Sequence, residues 1–162
     1  MCSSDLFDTA NGEIVSNYSG HGGPVAAVAF SSDGKTVFSA GQDKKIHVWQ
    51  ALDAAQSRKQ SDAKKQSEMT GVAKDTVRLV VSDGSLFSCA GDGAIRQHSI
   101  SDRKEIRSFA GLGDWAYCVA PHAGTKRVAA GAFDGRVCVW NSEDGKLIAN
   151  FIAAPGLVSA KK

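Results

Sequence analysis

The stretch Gly20–Trp49, GHGGPVAAVAFSSDGKTVFSAGQDKKIHVW, decides the fold. It holds three short runs, Val25–Phe30, Thr36–Ala40 and Ile46–Trp49, in which Val, Phe and Ile alternate with small or polar residues. That period-two pattern is the signature of half-buried strands. Asp33-Gly34 and then Gly41-Gln42-Asp43-Lys44 separate the runs, and glycine reaches the positive φ of a tight hairpin without steric cost. The stretch therefore reads as a three-stranded meander of about 30 residues, too small to bury its own faces. It needs copies of itself to stack on.

Adding 91 to a position returns the pattern without a gap: Gly20 falls on Gly111, Val28 on Val119, Asp43 on Asp134 and Trp49 on Trp140. A weaker copy lies between, with Asp92 in the place of Asp43 and His98 in the place of Trp49. The strand-end anchors Phe7, Trp49, His98 and Trp140 are spaced by 42, 49 and 42 residues. A fourth strand follows each anchor. Glu13–Tyr18, Lys104–Phe109 and Lys146–Phe151 each end on an aromatic 11 residues after it. After Trp49 the equivalent residue is Met69, 20 residues on. The extra nine fall in Ala51–Glu68, a charged segment without Gly or Pro. It reads as a solvated loop or short surface helix, or else as a basic docking loop carrying Arg58, Lys59, Lys64 and Lys65.

A period near 42 with a Gly-His start and a Trp end resembles the WD-repeat (WD40) β-propeller family, in which each repeat supplies one four-stranded blade. The resemblance covers roughly residues 7–154. It implies an all-β fold: a partial β-propeller of three four-stranded antiparallel blades plus an orphan N-terminal strand. The expected boundaries are 1–6 as a scar or disordered segment and 7–18 as the tail of a preceding blade. Blade 1 is then 19–70 with an insertion at 51–68, blade 2 is 71–109, blade 3 is 110–154, and 155–162 is a tail. Rings close with about four to eight blades, so three blades read as a C-terminal fragment of a larger propeller. Its open ends would meet the remaining blades or pair by self-association.

With the strands of a blade lettered a to d, the resemblance also implies a hydrogen-bonded tetrad. Its members are Trp49 in strand c, Ser39 in strand b, His21 in the d–a loop and Asp43 in the b–c turn. The chemistry is coherent: a buried indole N–H needs an acceptor, a hydroxyl can accept and pass on, and imidazole bridges hydroxyl to carboxylate. Blade 2 keeps Ser88 and Asp92 but has His98 for Trp and Val72 for the loop His. Blade 3 keeps Asp134 and Trp140 but has Leu112 and Ala130. Ser, His and Asp are also the residue types of a hydrolase triad. A Ser that faces a Trp inside a blade, with no oxyanion loop nearby, argues against catalysis, and no catalytic residue is expected.

The bulk numbers exclude more than they assign. Of 162 residues 43% are hydrophobic and 22% charged, with a net charge of +2. No dense cationic footprint for nucleic acid is present, and no apolar run approaches the ~18 residues of a membrane helix. Met1–Ala10 lacks a secretory pattern, so a complete chain would read as cytoplasmic. Cys2, Cys89, Cys118 and Cys138 form no Cys-x-x-Cys pair. Cys89, Cys118 and Cys138 fall in strands, as core thiols or, alternatively, as redox partners. His47, His98 and His122 have no metal-ligand spacing, and no phosphate or dinucleotide loop is present. No cofactor or metal is expected.

What remains is surface. In the family that the chain resembles, partners bind the face carrying the d–a loops and b–c turns, here Gln42, Lys44, Asp114, Trp115, Phe133 and Arg136. Trp115 and Phe133 stand out as large aromatics in loops, with packing on the neighbouring blade as the alternative for Trp115. The reading is a non-catalytic scaffold for a protein or peptide. The alternative is the propeller part of a larger bacterial enzyme, or of a cytochrome-linked or kinase-linked protein, with its catalytic segment elsewhere.

Overall fold

The computed structural model describes residues 2–52, 63–69 and 74–153. Three four-stranded antiparallel meanders follow one another along the chain, preceded by a two-stranded hairpin. The hairpin is β1 (Cys2–Phe7) and β2 (Ile14–His21). Blade 1 holds β3 (Val25–Phe30), β4 (Thr36–Gly41), β5 (Ile46–Gln50) and β6 (Lys65–Met69). Blade 2 holds β7 (Thr76–Ser82), β8 (Ser85–Ala90), β9 (Ile95–Ser99) and β10 (Glu105–Phe109). Blade 3 holds β11 (Ala116–His122), β12 (Arg127–Ala132), β13 (Arg136–Asn141) and β14 (Leu147–Ile152). Among the described residues there is no α-helix, only a short 3-10 turn at Ala123–Thr125 between β11 and β12. The all-β partial propeller is thus the architecture of the chain.

Alternation decides which side chains meet. On β4 and β5, Val37 pairs with Trp49 and Ser39 with His47, while Phe38 pairs with Val48 and Ala40 with Ile46. Successive residues point to opposite faces, so the first set looks toward β2 and the second toward blade 2. The core is accordingly divided into three layers. Tyr18, Val37, Trp49 and Ala63 pack between the hairpin and blade 1. Phe38, Ile46, Val48, Met69, Leu79 and Leu86 pack between blades 1 and 2. Phe87, Ile95, Phe109, Leu112, Val128 and Trp140 pack between blades 2 and 3. The inner strands β3, β7 and β11 are neighbours, as in blades set side by side around an axis.

Strand d follows one rule through the chain. Tyr18 within β2, and Met69 and Phe109 at the ends of β6 and β10, insert against the next blade, with 2%, 0% and 1% of their surface exposed. Phe151 occupies the same position on β14 and is 52% exposed.

Three expectations need correction. The strand Glu13–Tyr18, read as an orphan, is Ile14–His21 and has a partner. Residues 2–6, set aside as a scar or disordered, form most of that partner, because Ser4, Asp5 and Leu6 align with Tyr18, Asn17 and Ser16. The insertion placed at 51–68 ends earlier: Lys65–Met69 is β6, with Lys65, Ser67, Glu68 and Met69 paired to Trp49, Val48, His47 and Ile46. Of the four basic residues assigned to that insertion, Lys65 lies in the strand and pairs with Glu68 at 3.1 Å. Arg58 and Lys59 lie outside the described residues, as do Val72 and the tail 155–162. Cys118 is exposed, unlike the buried Cys89 and Cys138, and all three are free thiols. Burial pushes the Cys89 thiol up to about 12, which leaves it a protonated, inert side chain.

Candidate functional site

The turn chemistry of blade 1 gathers its polar residues. Trp49 Nε1 donates to Ser39 Oγ at 3.0 Å. Ser39 Oγ and His21 Nε2 are 2.7 Å apart, and so are His21 Nδ1 and Asp43 Oδ2. The indole can only donate, so the hydroxyl proton goes to His21 Nε2, and Nδ1–H goes to the carboxylate. Asp43 also accepts from the backbone N–H groups of Gly22 and Lys45 at 3.3 Å each. Burial pushes its pKa up, yet the hydrogen bond from His21, with those from the Gly22 and Lys45 backbone, holds it below the ordinary carboxylate value. His21 is the last residue of β2, so these bonds join the hairpin to the β4–β5 turn.

Ser, His and Asp stand here at triad distances, but Ser39 is 0% exposed and its oxygen is engaged by Trp49. A substrate carbonyl has no path to it, so the arrangement holds a blade together rather than doing chemistry.

Two residues that the sequence reading left out complete this cluster. Tyr18 stacks on Trp49 with centroids 5.0 Å apart and an interplanar angle of 9°, and its hydroxyl lies 2.7 Å from His47 Nδ1. Burial, and then the Asp43 and Glu68 charges, push the Tyr18 phenol up to about 12. His47 stacks on His21 at 3.9 Å and 13°. Its Nε2 faces Asp43 Oδ2 at 3.6 Å, buried without a hydrogen bond. The carboxylate cannot donate, so Nε2 carries the proton and Tyr18 donates to Nδ1. Burial and the neighbouring His21 push His47 down to about 4. The signal for both residues was present: the constant spacing of 11 to the strand-d aromatic, and the separation of four between Asp43 and His47. Gly20 fits the same picture, because a Cβ there would collide with the Tyr18 hydroxyl.

His21, Asp43 and His47 are also the one trio of metal-ligand types that converges among the described residues, with ligand atoms within 4.8 Å. The two rings run nearly parallel, so their in-plane lone pairs do not meet at a point, and His21 Nδ1 would have to give up its 2.7 Å bond to Asp43. The geometry fits a hydrogen-bonded stack better than a coordination sphere.

Blades 2 and 3 solve the same position differently. In blade 2, Ser88 Oγ lies 3.1 Å from His98 Nε2, and Asp92 takes a two-armed bond from Arg96 at 2.5 and 3.2 Å. Arg96 stands where His47 stands in blade 1. Burial, and then Arg96, push His98 down to about 4. In blade 3, Ala130 offers no hydroxyl and Trp140 Nε1 donates to the Ala110 carbonyl at 3.0 Å instead. Leu112, where blade 1 has His21, is 0% exposed in the apolar layer. Asp134 pairs with Arg136 at 3.4 Å, one-third exposed on each side.

On the loop face the structure brings together Asp114, Trp115 and Phe133 and adds Tyr117, which sequence reasoning passed over as an ordinary strand residue. Trp115 and Tyr117 have centroids 6.4 Å apart at 29°, and Tyr117 and Phe133 5.9 Å apart at 46°. The three are 45%, 47% and 68% exposed and, with Asp114, line a shallow hollow of about 310 Å³. The base is firm. Phe133 N–H donates to the Trp115 carbonyl at 2.9 Å, and one face of the Trp115 indole lies on blade 2, where a Cβ on Gly91 would stand 3.3 Å from three ring carbons. Gln42 and Lys44 occupy the corresponding turn of blade 1, on the far side of blade 2 from this hollow. Arg136 is turned away, toward Asp134 and Asn150.

Comparison with known proteins places these features in context. The WD domain, G-beta repeat family matches residues 12–50 and 103–141, two segments offset by the same 91 residues as the internal repeat. A periodic tryptophan protein 2 homolog of Neurospora crassa is 24% identical over 75% of this chain, and one of Dictyostelium discoideum 26% over 79%. Transcription initiation factor TFIID subunit 5 of Caenorhabditis elegans is 25% identical over 98% of this chain. The chain spans only 14%, 14% and 23% of the length of these relatives. The crystal structure of a computationally designed protein, Ika8, superposes with a TM-score of 0.74 over 91% of this chain and 42% of its own, at 24% identity. That similarity concerns the fold alone.

Proposed function

From its membership of the WD-repeat family we infer that this chain is a non-catalytic scaffold whose loop face, at the d–a loops and b–c turns, docks a protein or peptide. The observation that carries this reading is the cluster Trp115, Tyr117 and Phe133. Three large aromatics exposed side by side are costly in water and are the residue types that dominate interface energetics. They stand on a turn already held by the Phe133–Trp115 backbone bond and by Gly91, so little ordering cost accompanies docking.

The same reading treats the chain as part of a larger ring. The exposure of Phe151, where Tyr18, Met69 and Phe109 are buried, supports a further blade or a second copy against β14. Selection of peptides on the immobilised chain tests the docking reading. Peptides that depend on this face lose at least about tenfold in affinity for Trp115→Ala/Phe133→Ala, the loss of hot-spot residues. Peptides indifferent to that pair would place the docking surface elsewhere.

A further inference from the structure

We propose that the cleft between blades 2 and 3, at the strand ends opposite the docking loops, binds a carboxylate that carries a hydrogen-bond donor on its adjoining carbon. Arg107 holds the carboxylate and Gln97 accepts from the donor. The site is independent of the docking reading. The cleft has a volume of about 290 Å³, near the lower limit for small-ligand sites. Its blade 2 wall is a row across β8, β9 and β10, in which Phe87 pairs with Gln97 and Gln97 with Arg107. Its blade 3 wall comes from the β11–β12 and β13–β14 turns, with His122, Lys126 and Glu143.

Packing does not require this polar row. Register places Phe38, Val48 and Ser67 there in blade 1, and Ala129, Val139 and Ala149 in blade 3. Blade 2 instead sets a Gln beside an Arg, and both keep unmet polar atoms. Gln97 Nε2 donates to Ser85 Oγ at 3.0 Å, but Gln97 Oε1 is buried without a donor and Arg107 Nε without an acceptor. Asp144 senses the Arg107 charge yet pairs with Lys146 at 3.4 Å. Buried polar atoms left unpaired weaken a fold. Their presence where Val and small residues serve in the other blades speaks for a ligand.

The chemistry of the row selects the ligand. Directly opposed strand residues hold their Cβ atoms about 4.5–5.5 Å apart, so one small ligand meets both when its acceptor and donor sit on adjoining carbons. Arg107 presents a planar fork of N–H donors that matches a carboxylate, and Gln97 Oε1 takes an O–H or N–H. A 2-hydroxy acid and the terminal residue of a peptide share that pattern. His122 adds a donor at the rim, because its Nδ1 accepts from Thr125 N–H at 3.2 Å and the proton therefore sits on Nε2. Charge limits the ligand to one negative group. Lys126 lies 3.7 Å from both Asp83 and Glu143. Arg107 is then the cation left for the ligand, and the two carboxylates oppose a doubly charged phosphate.

The test is NMR titration of the whole chain, read at the Nε–H signal of Arg107, which is assigned by its loss in Arg107→Ser. The probes are lactate and N-acetylalanine, the second a mimic of a peptide terminus. Propionate lacks the donor, the amides of both probes lack the charge, and inorganic phosphate carries too much of it. The proposal expects saturable shifts with at least one probe, while Arg96, already held by Asp92 and Glu105, stays unmoved. Propionate should bind about fivefold and the amides about tenfold more weakly. Arg107→Ser installs the blade 1 residue and Gln97→Val the residue of blades 1 and 3, so both variants should keep the fold and its melting temperature. Read at the Ser85 and His122 amides, the first should abolish binding and the second weaken it about fivefold. The tighter probe tells whether a small acid or a peptide terminus is the source. No saturation with either probe, equal binding of propionate or the amides, tighter binding of phosphate, or unchanged affinity in Arg107→Ser would overturn the proposal.

Discussion

Tyr18 and Trp49 lie in different sheets yet stack nearly parallel, 5.0 Å between centroids. The contact shows how one blade is fastened to the next: a strand-d side chain covers the strand-c anchor that follows it. Phe109 covers Trp140 in the same position, but tilted at 49° with centroids 5.8 Å apart. Replacement of Tyr18 by Ala should cost about 3–5 kcal/mol, the range for removing a buried aromatic. Tyr18→Phe keeps the stack but leaves His47 Nδ1 without its donor and should cost about 1–2 kcal/mol. Urea unfolding distinguishes the two. Equal losses would mean that the hydroxyl, and not the ring, holds the contact.

Acid should loosen the fold before its carboxylates protonate. His47 and His98 are both depressed from 6.5 to about 4, by burial first and then by the neighbouring His21 and Arg96 respectively. The unfolded chain therefore binds protons that the folded chain refuses, and stability falls as pH drops from about 6.5 to about 4. Asp43 and Asp92, held below the ordinary carboxylate value, add a further loss as pH falls through their folded values. Unfolding midpoints across this range should carry the slope of about two protons, and His98→Gln should reduce it to about one. A flat profile between pH 6.5 and 4 would contradict the neutral, buried imidazoles.

One register position should give different costs in two blades. Asp92 and Arg96 form a largely buried pair, 18% and 10% exposed. Asp92→Ala leaves the guanidinium with only Glu105, at 3.7 Å, and should cost about 2–3 kcal/mol. Asp134 and Arg136 are about one-third exposed, and Asp134→Ala should cost less than about 1 kcal/mol. Denaturant midpoints of the two variants make the comparison directly.

The β14 face should drive association. Phe151 is 52% exposed on the last strand, on the face it shares with Val137 and Val139. Light scattering should report concentration-dependent oligomers, reduced by Phe151→Lys. A monomer at every concentration would remove self-association from the account.

Much of the architecture could be read because sheet register converts spacing into contact. The 91-residue shift and the Asp-Gly turns located blades, and alternation placed Ser39 and Trp49 on one face. Contacts between blades were harder to read. Tyr18 meets His47 across a sheet boundary, where no fixed period links the two. Asp92 found Arg96, an i,i+4 neighbour that stands where blade 1 has His47. Trp140 found a backbone carbonyl, which leaves no trace in side-chain patterns. Tyr117 looked like one more strand residue, and only its outward face made it part of the aromatic cluster. The pairing of residues 2–6 was missed because they lie outside the repeat on which the reading was built.

The docking claim is tested most directly by amide chemical-shift mapping of the chain with a peptide selected against it. The account predicts shifts concentrated at Asp114–Tyr117 and Phe133–Arg136, with the a–b turns at Asp33, Asp83 and Lys126 unmoved. Shifts centred on those a–b turns, with the aromatic cluster silent, would contradict it.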